Sequence, residues 1–325
     1  MPAPDAPPVR PSRPHPEHPM NVAARQINPQ HRGPTLVHAA EDVQTSTEQD
    51  RSIGDIIRQT KNLSDEQVNA IVEFQRANGV RFGEAAVSLG LASDSDVVFA
   101  LSQQFHYPYT PDERRGTNLE LVTASQPFSK QAEAFRAIRS QLMMRVFNPA
   151  EPKRALAVIS PDSGDGKTFF VANLGVSLAQ LGGRTLVVDA DLRGPRLHQV
   201  FGIPNASGLS GILSGRQEDN VIYQAPDIPS LYVMPVGVTP PNPLELLERP
   251  AFRLLMGELL RKFDHVVVDT PAGQLGSDAA VIASKCGAAL ALARKDRTRV
   301  NSLNELVATV SASTAKLAGV IVNEF

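Results

Sequence analysis

From residue 154 onward, short apolar runs alternate with longer stretches in which apolar residues recur every three or four positions. The short runs have the length of buried strands, and the longer stretches have the period of helices. This alternation predicts a mainly parallel sheet covered by helices on both faces, with ligands bound beyond the carboxyl ends of the strands. The expected strands are residues 155–159, 185–189, 231–236, 265–269, 288–293 and 318–322.

An amphipathic stretch, residues 132–146, precedes the first of these strands and is expected to be a helix. We therefore assign residues 128–325 to one α/β domain. A chain of 325 residues with 42% hydrophobic content can bury a core of this size and still carry a smaller second unit.

The second unit is predicted by a repeat between residues 51 and 110. Gly54 and Gly83 are 29 positions apart, as are Gln75 and Gln104, and the apolar positions between them coincide. The equal spacing, with the same residue types at the start and end of each copy, indicates a duplicated supersecondary unit. Each copy has the pattern of a helix, a turn and a second helix, whose start is marked by a capping serine, Ser64 in the first copy and Ser93 in the second.

Two further segments have the composition of irregular chain. Residues 1–50 contain ten of the 26 prolines and no apolar periodicity, which predicts a disordered tail. Residues 111–127 are rich in Pro, Asp, Gly and Thr and are interpreted as a linker between the repeat and the α/β domain.

Charge and composition exclude some partners and locations. A net charge of -2 provides no basic field for a phosphate backbone, so we expect no nucleic acid partner. No run approaches the ~18 to 20 apolar residues that span a bilayer, so we expect a cytoplasmic protein that reaches the inner membrane only through another chain. The one cysteine, Cys286, cannot form a disulfide within the chain, and this fits a reducing compartment.

A candidate phosphate loop follows the first strand. Residues 160–168 read Ser-Pro-Asp-Ser-Gly-Asp-Gly-Lys-Thr and lead into a helical pattern from Phe169 to Leu181. A glycine-bearing turn at a helix start presents backbone N–H groups to an anion, and the helix dipole favours negative charge there. Lys167 would reach the β- and γ-phosphates, and Thr168 would join a Mg²⁺ shell. The expected nucleotide-binding residues are Ser163, Gly164, Asp165, Gly166, Lys167, Thr168 and Phe169, and Pro161 stands where the strict motif has glycine.

Three aspartates end two of the predicted strands. Asp189 and Asp191 alternate at the end of one buried strand, and Asp269 ends another. Carboxylates that converge beside a phosphate loop require a cation to offset their mutual repulsion. The sequence therefore predicts a Mg²⁺-nucleotide site at this edge of the sheet.

The loop, the Asp-x-Asp-x-Arg strand end and the Val-Val-Val-Asp-Thr-Pro strand end resemble the Walker A, A′ and B motifs of the bacterial tyrosine kinases of exopolysaccharide chain-length systems. Residues 196–198, 208–215 and 241–247 also match that family. The resemblance implies a P-loop NTPase fold and γ-phosphoryl transfer from ATP to a tyrosine hydroxyl. It assigns Lys167 to the phosphates, Thr168 and Asp191 to Mg²⁺, and Asp269 to the water shell of the metal. Asp189 is the candidate base, and Arg193 or Arg196 either steadies transition-state charge or forms a surface ion pair.

The same resemblance implies partners. Glu133, Arg136 and Arg139 reproduce the Glu-x-x-Arg-x-x-Arg pattern through which such kinases form rings, so a homo-oligomer is expected. The expected activator is a polysaccharide chain-length membrane protein, acting through its cytoplasmic tail. The four tyrosines, at 107, 109, 223 and 232, form no terminal cluster, so substrate tyrosines are expected elsewhere or in another protein.

Two alternatives remain open at this stage. One is a non-kinase ATPase switch of the partition or septum-site type, although such proteins carry a second lysine early in the loop and residues 160–166 contain none. The other concerns the repeat, which resembles the N-terminal domain of type II secretion and pilus ATPases, some of which bind cyclic di-GMP. The second copy matches that pattern at Arg81, Gly83, Gly90, Val97, Leu101 and Gln104. The first copy departs from it, with Ser52 in place of arginine and Lys61 in place of glycine.

Overall fold

The computed structural model describes residues 52–104 and 120–324. The expected tail at residues 1–50 lies outside the described residues, as do residues 105–119, which include most of the expected linker and two of the four tyrosines.

The repeat is helical, as its sequence predicts. Its helices are α1 (Ile53–Lys61), α2 (Asp65–Asn78), α3 (Phe82–Ser88) and α4 (Asp94–Gln104), so the second pair begins 29 residues after the first. Both expected caps form. Ser64 Oγ accepts a hydrogen bond from the N–H of Gln67, and Ser93 Oγ accepts one from the N–H of Asp96. Ile57, Ile71 and Ala100 are buried in a small core shared by the two copies.

The large domain contains the predicted sheet. Its strands are β1 (Ala155–Ile159), β2 (Thr185–Asp189), β3 (Tyr223–Gln224), β4 (Leu231–Met234), β5 (His265–Asp269), β6 (Gly287–Arg294) and β7 (Lys316–Asn323). Their order is β3-β4-β2-β5-β1-β6-β7, and every pairing is parallel except that of β3 with β4. The mainly parallel sheet is therefore confirmed. The sequence missed β3, because two residues are too short to display a period.

Helices cover both faces of this sheet. They are α5 (Val122–Ser125), α6 (Lys130–Arg145), α7 (Lys167–Ala179), α8 (Leu197–Phe201), α9 (Leu209–Ser214), α10 (Pro243–Glu248), α11 (Pro250–Lys262), α12 (Asp278–Cys286) and α13 (Val300–Ser311), with a 3₁₀ turn at Gly273–Leu275. Neighbouring residues of β1 enter opposite cores: Ala157 joins the one built on α11 and α12, and Val158 the one built on α6 and α7. Because both faces are buried, the central strands read as uninterrupted apolar runs.

The described part of the expected linker belongs instead to the large domain. Val122–Ser125 form a buried helical turn, α5. The backbone N–H and the hydroxyl of Thr123 both donate to Asn173 Oδ1 of α7, at 2.9 and 2.8 Å, and Asn173 Nδ2 donates to the carbonyl of Glu120 at 2.7 Å. The segment has the polar composition of a loop, but a buried asparagine satisfies its polar groups, so composition alone misplaces the boundary.

Among the described residues, no helix combines the length and the apolar character needed to cross a membrane.

Candidate nucleotide site

The order of the central strands brings the predicted site residues together. β5 lies between β2 and β1, and all three run parallel, so their carboxyl ends meet at one edge of the sheet. Asp189 at the end of β2 is the register partner of Asp269 at the end of β5. The candidate phosphate loop leaves β1 on the other side of Asp269 and enters α7.

Two glycines shape the phosphate loop. Gly164 and Gly166 have φ angles of 86° and 94°, in the left-handed region that residues with a Cβ rarely adopt. α7 begins at the next residue, Lys167, and its side chain turns back so that Nζ donates to Ser160 Oγ at 2.9 Å. The loop therefore folds around the lysine amine, at the start of a helix that is thirteen residues long.

Lys167 is almost completely buried. Burial lowers its pKa, and the negative charges of Asp269, Asp191, Asp165 and Asp162 act in the opposite direction. Burial deprives the Lys167 ammonium of its hydration. A bound polyanion would offset this loss, because it brings negative charge and hydrogen-bond acceptors directly to the amine.

Thr168 and Asp269 form the next part of the site. Thr168 Oγ1 donates to Asp269 Oδ2 at 2.6 Å, and the N–H of Thr270 donates to Asp269 Oδ1 at 3.1 Å. Burial raises the pKa of Asp269 to about 6, while the hydrogen bond from Thr168 and the charge of Lys167 oppose that shift. A hydroxyl and a carboxylate in contact provide the hard oxygen ligands that Mg²⁺ prefers.

No group of three or more His, Cys, Asp or Glu side chains in residues 52–104 and 120–324 is arranged to hold a metal ion. In nucleotide sites, Mg²⁺ is held by one or two carboxylates together with water and the phosphates of the substrate. The donor set around Thr168 and Asp269 is therefore compatible with Mg²⁺ that arrives with a nucleotide.

Asp189, the candidate base, is bound by backbone amides. It is fully buried, and its oxygens accept hydrogen bonds from three backbone N–H groups: Asp191 at 3.2 Å, Arg196 at 3.0 Å and Leu197 at 3.0 Å. Burial and the neighbouring charge of Asp269 raise its pKa well above the ordinary value, and the backbone donors oppose the shift. These hydrogen bonds tie Asp189 to the backbone of the segment that follows β2.

Asp191 lies on that segment and is only partly buried. Its Oδ1 accepts from the N–H groups of Arg193 and Gly194, at 3.1 and 2.9 Å. The negative charges of Asp191 and Asp269 both raise the pKa of Lys167. Asp191 therefore belongs to the same electrostatic cluster as the phosphate loop.

The two arginines of this segment are engaged in ion pairs. Arg193 donates through Nε and Nη2 to the two oxygens of Asp278, at 3.1 Å each, and the Asp278 side chain is buried. Arg196 contacts Glu120 Oε1 at 2.5 Å. These contacts favour the ion-pair interpretation of both residues over a role in steadying transition-state charge.

The expected oligomerisation residues lie together on α6. Within one chain, Arg136 contacts Glu133 at 2.6 Å and donates to the carbonyl of Pro127 at 2.8 Å. Arg139 donates to the carbonyl of Ser177 on α7 at 2.7 Å. Assembly through this face stays a prediction.

Four side chains that the sequence did not single out contact the phosphate loop. They lie at the end of β6, just after it, or at the end of β7. Their contacts are Arg294 Nη1 to the carbonyl of Gly164 (3.1 Å), Arg297 Nη2 to the carbonyl of Ser163 (3.3 Å), Thr298 Oγ1 to Asp165 Oδ1 (3.0 Å) and Asn323 Nδ2 to the carbonyl of Asp165 (3.1 Å). The basic run at residues 294–299 was the available signal, because it follows a strand whose carboxyl end reaches the site edge.

Residues 156–325 match the family model described as the CobQ/CobB/MinD/ParA nucleotide binding domain. The tyrosine-protein kinase CpsD of Streptococcus agalactiae is 33% identical over 210 residues, which cover 64% of this chain and 90% of CpsD.

Solved structures give the same result. The kinase domain of the Escherichia coli tyrosine kinase ETK is 31% identical, with a TM-score of 0.60 over 66% of this chain and 84% of that domain. The chimerical protein CapA2B2 is also 31% identical, with a TM-score of 0.59 over 69% of this chain and 97% of the chimera.

Proposed function

The chain belongs to the CobQ/CobB/MinD/ParA nucleotide-binding family and, within it, to the bacterial tyrosine kinases, and we propose that its phosphate loop transfers the γ-phosphoryl group of Mg-ATP to a tyrosine of another protein. One observation carries the proposal: a buried Lys167 amine lies inside a glycine-bearing loop, next to the Thr168–Asp269 pair. That arrangement supplies a cation for the phosphates and oxygen ligands for Mg²⁺ within one turn of a helix start.

In this proposal each residue has a distinct task. The backbone of residues 163–169 binds the phosphates, and Lys167 offsets charge on the β- and γ-phosphates. Thr168 and Asp191 would hold Mg²⁺, and Asp269 would orient Thr168 and the water shell of the metal. Bound Mg²⁺ neutralises charge that develops on the transferred group.

Asp189 is reassigned from the base role that the sequence suggested. Phosphoryl transfer passes through a loose transition state, and most of the catalysis comes from positioning and charge stabilisation. A fully buried carboxylate bound by three amides is suited to fixing the loop that carries Asp191. We therefore propose that Asp189 positions Asp191.

The partners are proposed from the family. A polysaccharide chain-length membrane protein would bind through its cytoplasmic tail, activate the kinase and hold it at the inner membrane. The kinase would act in exopolysaccharide or capsule export, and copies of the chain would associate through Glu133, Arg136 and Arg139. All three residues lie on the one helix α6, and contacts within the chain fix the positions of both arginines, which supports a preformed interaction face.

A labelling experiment tests this function. The purified full chain is incubated with γ-labelled ATP and Mg²⁺, with and without the cytoplasmic tail of a chain-length membrane protein that contains tyrosines. We expect phosphotyrosine, identified by mass spectrometry, and more of it when the tail is present. Release of free phosphate with no phosphotyrosine on any protein would instead favour the ATPase switch.

We further propose that the repeat binds cyclic di-GMP through its second copy, at Arg81, Gly83, Gly90, Leu101 and Gln104. Arg81 is exposed at the start of α3, which supports contact with a ligand. Gly83 also has a packing reason to be glycine, because a Cβ there would lie 2.7 Å from Val97 Cγ1. In the first copy, Lys61 replaces the corresponding glycine and pairs with Asp96 at 2.9 Å.

Calorimetric titration of the full chain with cyclic di-GMP checks this proposal. We expect heat of binding in the unmodified chain, a loss of at least about tenfold in affinity in Arg81→Ala, and no change in Arg76→Ala, which removes an exposed arginine of α2. A flat titration of the unmodified chain would leave the repeat as a docking module.

A further inference from the structure

Three consecutive residues of the phosphate loop are held from one side. The carbonyls of Ser163, Gly164 and Asp165 accept hydrogen bonds from Arg297, Arg294 and Asn323, respectively, and the Asp165 carboxylate accepts one from Thr298. We call these four side chains the outer clamp. Arg294 ends β6, Arg297 and Thr298 lie between β6 and α13, and Asn323 ends β7.

The direction of these carbonyls determines where the loop amides point. In a trans peptide the C=O and the N–H lie on opposite sides, and no described peptide bond is cis. Because the three carbonyls face the outer clamp, the N–H groups of Gly164, Asp165 and Gly166 face the other way. Within the described part of the chain, none of these three N–H groups donates a hydrogen bond to a backbone carbonyl. A row of inward N–H groups is what an anion requires.

Asp165 fastens the centre of this row. Its carboxylate is fully buried, and it accepts from the N–H of Asp162 at 3.0 Å and from Thr298 Oγ1 at 3.0 Å. The Thr298 hydroxyl itself accepts from the N–H of Arg294 at 2.7 Å. Because that bond occupies the oxygen as acceptor, the hydroxyl proton is directed to Asp165.

We propose that the outer clamp sets the peptide orientations of the phosphate loop, and that Thr298 is its positioning residue for nucleotide binding. The inference rests on the proposed function in one respect, namely that the anion bound by the loop is a nucleotide phosphate. Thr298 itself is not proposed to contact the phosphates. It acts through Asp165.

Two substitutions of Thr298 separate its hydroxyl from its shape. Thr298→Val keeps the branched side chain and removes both hydrogen bonds, whereas Thr298→Ser keeps the hydroxyl. In the full chain, we expect the valine variant to bind fluorescent ADP roughly tenfold to a hundredfold more weakly, the range for losing a hydrogen bond to a charged group. We expect the serine variant to lie within about threefold of the unmodified chain, because the hydrogen bonds are retained.

Kinetics distinguish positioning from a general loss of structure. The valine variant should raise KM for ATP more than it lowers kcat, because a misoriented loop weakens ground-state binding before it affects transfer. The matched control is Thr309→Val, which removes a hydroxyl that donates only to the carbonyl of Glu305 within α13. The control should change neither constant.

A second pair of variants covers the case in which Thr298→Val does not fold. Arg297→Ala removes a clamp residue from the exposed side of the loop, and Lys295→Ala removes a neighbouring cation that pairs with Glu324 instead. Weaker ADP binding in Arg297→Ala alone supports the clamp. ADP binding unchanged in both Thr298→Val and Arg297→Ala, with the unmodified chain binding ADP, would overturn the clamp and leave the proposed function standing. An unmodified chain that binds no ADP would overturn both.

Discussion

Replacing Lys167 with methionine should reduce phosphotyrosine formation by on the order of 10² to 10³-fold, the loss that follows when one preorganised group is removed from developing charge. The amine lies within the phosphate loop, 2.9 Å from Ser160 Oγ. Methionine has a similar length and no charge, so the loop keeps its volume but loses its cation. Initial rates with labelled ATP measure the effect.

The same substitution should not cost stability. Burial lowers the pKa of Lys167, which means that the folded state disfavours the charged amine. An uncharged side chain removes that cost, so we expect the denaturant midpoint of Lys167→Met to equal or exceed that of the unmodified chain. Lys153→Met is the matched control, because Lys153 is exposed and lies just before β1, the strand that leads into the phosphate loop. Retention of activity in Lys167→Met would show that the phosphate loop lies elsewhere.

Asp269→Asn should lower kinase activity by about 10²-fold and remove a pH dependence. Because Asp269 must be ionised to accept hydrogen bonds from both Thr168 and the water shell of Mg²⁺, and the pKa of Asp269 is about 6 before nucleotide binds, Mg²⁺-dependent ADP affinity should fall as the pH drops through 6. The asparagine variant should bind weakly across the range. Titrations with Mg-ADP between pH 5 and 8 measure the difference, and Asp264→Asn, before the amino end of the same strand, is the control.

The free energy of unfolding should change with pH in the opposite direction to the ADP affinity. The native pKa of Asp269 lies above its unfolded value of 3.8, so between about pH 4 and pH 6 the native state binds more protons. The free energy of unfolding should therefore fall as the pH rises through this window and level off above it, in the unmodified chain relative to Asp269→Asn. An identical pH profile in the two proteins would show that Asp269 titrates normally.

Much of the large domain follows from its apolar runs. The bounds of β1, β2 and β5 match the sequence prediction residue for residue, because strands buried on both faces show no polar interruption. The repeat was equally legible, since two copies of one pattern reinforce each other. By contrast, β3 pairs only two residues, and the turn at Val122–Ser125 is polar in sequence although it is buried.

The sequence predicts those site residues that belong to a motif at the end of a single strand. It does not predict those that reach the site through contacts between distant parts of the chain. Lys167 and Thr168 were identified because they belong to the glycine-bearing segment after β1, and Asp269 because it ends β5. Thr298 and Asn323 lie more than 100 residues from Asp165, and only the strand order brings them to the loop. The position of Asp189 could not be inferred either, because a strand-end pattern does not tell a carboxylate that faces a ligand from one that binds backbone amides.

The attachment of residues 120–123 to Asn173 has a mechanical consequence. This is where the chain arriving from the repeat enters the large domain, and Asn173 lies six residues after Lys167 on α7. A helix transmits displacement along its axis because its backbone is internally bonded. A pull on the chain at Glu120 would therefore act on α7, whose first turn contains Lys167 and Thr168.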